Sequence, residues 1–154
     1  MPDVCDDGRV RTRSLIGMVL AAAALVVPAS ALATRAPPVI HEPFTAQPCP
    51  AHPISTVDME GCAEQRILRL DHGIDAVSRT IFARLHDDAA RRRFLTASRA
   101  WLAYRRADCL SMSEQFEGGT LAAVLDARCT AAQSAQRLRE LRALARVLTQ
   151  RGDT

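Results

Sequence analysis

The sequence predicts an all-α fold, a small antiparallel helical hairpin built out to a three-helix domain with two disulfides, and three observations carry that prediction. Apolar residues recur at spacings of three and four over long stretches, no stretch alternates with period two, and four cysteines follow an N-terminal export signal. The stretch from Ser98 to Cys109 holds the only Trp and the only Tyr. On a helix, Trp101, Arg105 and Cys109 are successive i,i+4 neighbours, and Phe94, Leu95, Ser98 and Leu102 widen the same face. An aromatic anchor, a charge and a thiol therefore share one side of one helix.

The chain of 154 residues opens with Arg9, Arg11 and Arg13, an apolar run from Leu15 to Val27, Pro28, and the small residues Ala31 and Ala33 around Leu32. That is the layout of a secretory signal peptide over residues 1–33, with cleavage expected after Ala33. The apolar run is short for a membrane span and ends at a helix breaker. Thr34 and not a Cys directly follows Ala33, so neither a lipid anchor nor a permanent membrane anchor is expected, and the mature chain is read as secreted or periplasmic. Its basic residues are all Arg, read mainly as a coding bias. Cleavage removes three Arg and three Asp, so the net charge stays at +3.

Residues 34–54 hold Pro37, Pro38, Pro43, Pro48, Pro50 and Pro53, too many for a continuous helix. They read as an extended leader fastened at Cys49, followed by a helical domain over 55–150 and a tail at 151–154. Ser55 or Thr56 can cap the first helix, with Asp58 and Glu60 in its first turn where the dipole favours negative charge. Ala63, Ile67, Leu70, Ile74, Val77, Ile81 and Leu85 form one stripe, which predicts a helix over 57–86. Asp71 lies beside that stripe and is a candidate partner for Arg105. Gly73 within it allows either a bend or a close helix contact.

Asp87 and Asp88 supply a turn and a cap for a second helix over 89–116. Its start carries Arg91, Arg92 and Arg93, read as a solvated face. Glu117, Gly118, Gly119 and Thr120 break the helix, and Thr120 can cap a third, whose stripe from Leu121 through Leu125, Leu138 and Leu141 to Leu148 predicts residues 121–150. Four cysteines allow three connectivities. Cys109 precedes Gly118 by nine residues and Cys129 follows Gly119 by ten, so an antiparallel hairpin puts both roughly 14 Å from the turn. That favours Cys109 with Cys129 and leaves Cys49 with Cys62.

Catalysis, metal and cofactors find no support. His72 and His86 are separated by about 21 Å of helical rise, the cysteines are better used as cross-links, and no glycine pair is followed by the Lys of a phosphate loop. Nucleic acid is not an expected partner. Trp101 reads as a core residue and Arg105 as a structural ion-pair donor.

With these pieces in place the chain resembles the LprI-like family, named for lysozyme inhibition. The matching residues are Asp58, Met59, Cys62 and Asp71, then Arg99, Ala100, Trp101, Tyr104, Arg105, Ala107 and Cys109, the turn Glu117, Gly118 and Gly119, and Cys129. They span about residues 49 to 145. Arg106 stands where the family commonly has Asp, and Ser98 where it commonly has Gln. The resemblance implies an exported, helical, disulfide-bonded domain in which Asp71, Trp101, Tyr104 and Arg105 form the structural motif. It also implies a protein-binding module that inhibits lysozyme, or binds another envelope protein. The exposed turn Glu117, Gly118, Gly119 and Thr120, flanked by Glu114 and Asp126, is then the candidate partner surface. The alternative is an envelope scaffold binding an anionic polymer through Arg91 to Arg93 or the row Arg139, Arg142 and Arg146.

Overall fold

A computed structural model describes residues 36–116 and 119–152; the segment 1–33 expected to be a signal peptide and the turn residues Glu117 and Gly118 lie outside them. Three helices follow in order: α1 Thr56–Arg84, α2 Asp88–Ser113 and α3 Leu121–Gly152, with a 3-10 turn Glu114–Phe116 after α2. No strand occurs among the described residues. The helix starts are fixed by side chains that satisfy orphan backbone donors. Ser55 and Asp58 form a reciprocal capping box on α1, and the Asp87 carboxylate accepts from the amides of Ala89 and Ala90 on α2. The last turn of the second predicted helix tightens into the 3-10 turn, and α3 continues into the expected tail.

Core contacts fix the topology. Ala63 and Ile67 cluster with Ala127 and Ala131, and Ile74 and Ile81 with Leu138 and Leu141. The positions climb together, so α1 and α3 run parallel, and α2 runs back between them in sequence. The principal packing is of α1 on α3, with α2 laid mainly on α3. Gly73 marks a close approach: a Cβ there would lie 3.1 Å from Leu138 Cδ2. None of the described helices is long and apolar enough to cross a membrane.

Both disulfides form, Cys49–Cys62 and Cys109–Cys129. Because α2 is antiparallel to its neighbours, both sit at one end of the bundle, beside the starts of α1 and α3.

The Pro-rich segment is extended, as its composition predicts, but Cys49 is far from its only attachment. The Ile40 amide donates to Asp75 Oδ1 at 3.1 Å, and the Gln47 amide to Glu64 Oε2 at 2.8 Å. Gln65 Nε2 donates to the Gln47 carbonyl at 3.0 Å, while Ile40 and Phe44 pack on the two core clusters. An extended chain has no internal hydrogen bonds, so these groups are satisfied by side chains of α1. The segment acts as a strap over the bundle. At its crossing of α1 a Cβ on Gly61 would stand 2.5 Å from the Pro48 carbonyl oxygen and 2.8 Å from Gln47 Cβ. Gly61→Ala is therefore expected to cost about 1 to 3 kcal/mol, as for overpacking, and to speed amide exchange at Gln47. A midpoint of denaturation equal to that of the parent would contradict this contact.

Candidate functional site

The face shared by Trp101, Arg105 and Cys109 points inward, and it places a guanidinium where four elements meet. Arg105 is 6% exposed, Asp71 on α1 4% and Ser134 on α3 0%. Arg105 Nη1 donates to Asp71 Oδ1 and Oδ2, each at 3.1 Å, and to Ser134 Oγ at 2.7 Å. The Ser134 hydroxyl donates to Asp71 Oδ1 at 2.8 Å, and Arg105 Nη2 donates to Glu42 Oε1 from the strap. One cation thus ties α1, α2, α3 and the strap. Among the described residues no buried side-chain polar atom is left without a partner, the condition under which a buried ionic cluster is tolerable.

Asp71 was the partner expected from sequence; Glu42 and Ser134 were not. Glu42 is 63 positions from Arg105, in a segment without periodicity. Trp101 is half-buried against the second core cluster. Its ring lies 5.0 Å from the Arg105 guanidinium carbon and 5.7 Å from that of Arg137, so its role is partly to cover the ion cluster. Tyr104, the remaining motif residue, is 56% exposed, because one residue before Arg105 the helix has turned away from the inward face. Ser98, at a position where the resemblance leads one to expect Gln, is satisfied by donating to the Phe94 carbonyl of its own helix at 2.9 Å. The cluster is complete without it.

Two carboxylates compete for this one guanidinium. Burial, and then the adjacent Glu42, push Asp71 up to about 6, against the pull of Arg105 and Ser134. Burial also raises Asp75, Glu60 and Asp126, Glu60 further by the charge of Glu64. A carboxyl raised on folding favours the native state most when both states are protonated. Stability is therefore expected to fall as pH rises from about 4 through about 6. Denaturation midpoints measured across that window check it, with Asp71→Asn flattening the slope; a midpoint that climbs with pH would contradict it.

Beside the cluster the strap and all three helices enclose a groove of about 550 Å³. Glu42, Glu60, Glu64 and Asp126 supply four carboxylates to its lining, against the guanidiniums of Arg105 and Arg106. Asp126, a predicted contact residue, faces this groove, whose lining does not include Glu114, Gly119 or Thr120. Those three are exposed at the turn between α2 and α3. Glu117 and Gly118 lie outside the described residues. Sequence reasoning missed Glu60 and Glu64 as groove residues, reading Glu60 only as a first-turn acid.

A match to the family model described as Lysozyme inhibitor LprI covers residues 49–141. The chain belongs to the LprI family. No curated protein and no solved structure matches it. The LprI match contains both disulfides, Asp71, the Trp101 to Cys109 run and Asp126, and it begins at Cys49 within the strap, so Glu42 lies outside it. The LprI family is described by inhibition of an enzyme, and both disulfides are consistent with the oxidising compartment of an exported protein. Asp108, Cys109 and Cys129 have ligand-like spacing, but a metal requires thiolates and these sulfurs are joined to each other.

The basic features are divided. Arg91 donates to the Leu85 carbonyl at 2.6 Å and lies over the Phe82 ring, and Arg93 approaches Asp87, so part of that patch is engaged within the fold. Arg139, Arg142 and Arg146 are exposed along α3.

Proposed function

We propose that the protein is an exported inhibitor that binds lysozyme at the acid-lined groove, with the turn after α2 reaching toward the enzyme's cleft. Membership of the LprI family supports the activity, and one observation supports the place: Glu60, Glu64 and Asp126 gathered in a single concavity. Many lysozymes are strongly basic. With a net charge of +3 this chain gains nothing from long-range attraction to them, so complementarity must be local. The groove supplies it, and the exposed Gly119 and Thr120 directly precede α3, close in sequence to the groove residues Ala123 and Asp126. A lysozyme cleft presents two carboxylates, which a backbone donor on that turn would meet.

Calorimetric titration with a basic chicken-type lysozyme tests the site. Glu60→Arg with Asp126→Arg is expected to weaken binding at least tenfold while circular dichroism stays helical, and charge reversal at Arg139, Arg142 and Arg146 to leave it unchanged. Equal affinity in the groove variant would remove the site.

A second reading, an envelope scaffold that holds an anionic polymer, is favoured by the exposed row Arg139, Arg142 and Arg146. It requires salt-sensitive retention on immobilised polyanion, abolished by reversing that row.

A further inference from the structure

We infer that the groove at the disulfide end of the bundle binds an anionic single-chain amphiphile, a fatty-acid-type ligand with one carboxylate and one acyl tail. The groove measures about 870 Å³ and is bordered by both disulfides, the starts of α1 and α3 and the end of α2. That is within the roughly 300–1,000 Å³ of small-molecule sites. It shares no lining residue with the acid-lined groove, so this inference does not rest on the lysozyme reading.

Its walls are apolar and uncovered. Met59, Met112 and Phe116 are 41%, 54% and 46% exposed, although each is a large side chain that gains by leaving water. Unbranched, polarisable Met side chains adapt to a flexible tail better than a branched wall would. At the border stand Arg66 and Arg69 from α1 and Arg128 from α3. None of the three makes an ion pair among the described residues, and no carboxylate lines the groove.

Charge complementarity selects the occupant. An inorganic anion would meet only exposed guanidiniums in water, where each contact is weak, and would leave the walls wet. A neutral apolar molecule would leave three cations unanswered. A second copy docked about a two-fold axis would set the same three arginines against their own images. A carboxylate on an acyl chain answers both halves of the site, the guanidinium fork matching the head and the Met and Phe walls the tail.

The probes are decanoate, 1-decanol and acetate, each titrated by calorimetry into the disulfide-bonded chain below the micelle threshold. Decanoate is expected to bind one per chain, with decanol and acetate at least tenfold weaker. Arg66→Glu with Arg69→Glu and Arg128→Glu is expected to weaken decanoate at least tenfold, and the reversed row at 139, 142 and 146 to have no effect. Should the triple variant lose helical signal, Met112→Asp at the exposed wall is expected to give the same loss. The inference is overturned if decanol binds as tightly as decanoate, if the folded variants keep parental affinity, if no decanoate binds, or if sedimentation shows two chains paired over this face.

Discussion

Arg105→Met is expected to lower the free energy of unfolding by about 3 to 5 kcal/mol, the penalty for removing one member of a buried ionic cluster. The side chain it removes is flanked by the buried Asp71 and Ser134 and by Glu42, whose carboxylate borders the acid-lined groove and is otherwise nearly covered. Most of the loss comes from stranding two carboxylates. Replacing the acids as well, by Asp71→Leu and Glu42→Leu in the Arg105→Met background, is therefore expected to recover a large part of it. Urea denaturation of the three proteins checks both statements. A single variant within about 1 kcal/mol of the parent would contradict the account of the cluster, since surface arginines fall in that range.

The second large effect is expected from the hairpin disulfide. Cys109→Ser with Cys129→Ser opens a link across 20 positions of sequence, for which the chain-entropy relation gives about 3 kcal/mol. Cys109 is fully buried, so the variant also puts a hydroxyl where a sulfur packed, and the loss is expected to exceed that seen on opening Cys49–Cys62 at the exposed Cys49. The partner contact from Gln133 Nε2 to Asp108 Oδ2, 2.8 Å long and on the same pair of helices, is present with or without the disulfide and so does not offset its loss. Thermal unfolding of each variant, compared with the reduced parent, measures the order. The reverse order, with the Cys49–Cys62 variant the less stable, would contradict the assignment of the hairpin link as the stronger staple.

The helices were legible because each is long and carries its stripe without interruption. Thr56–Arg84 was expected at 57–86 and Leu121–Gly152 at 121–150, and the differences are end effects set by caps and a tightened last turn. The cysteine pairing followed from the same periodicity, since equal distances from a turn place Cys109 opposite Cys129. Arg105 with Asp71 was legible because both lie beside core stripes. Glu42 was not, because the strap owes its position to side chains of other elements, and nothing local in Pro37 to Pro48 encodes where it docks. The acid-lined groove escaped for a related reason. Glu60 and Glu64 lie one turn apart on α1, but Asp126 joins them only through the parallel pairing of α1 with α3, which three stripes alone do not dictate. Trp101 shows the limit of a helical wheel: the face was right, but the half-buried ring packs against the core from its edge, where it shields two guanidiniums.

The proposed function turns on whether this folded domain stops a lysozyme from working. Cell-wall hydrolysis by a basic chicken-type lysozyme should be followed with increasing amounts of the purified, disulfide-bonded chain. The account predicts hydrolysis that falls with added chain and is restored by Glu60→Arg with Asp126→Arg; hydrolysis that proceeds undiminished at saturating chain would contradict it.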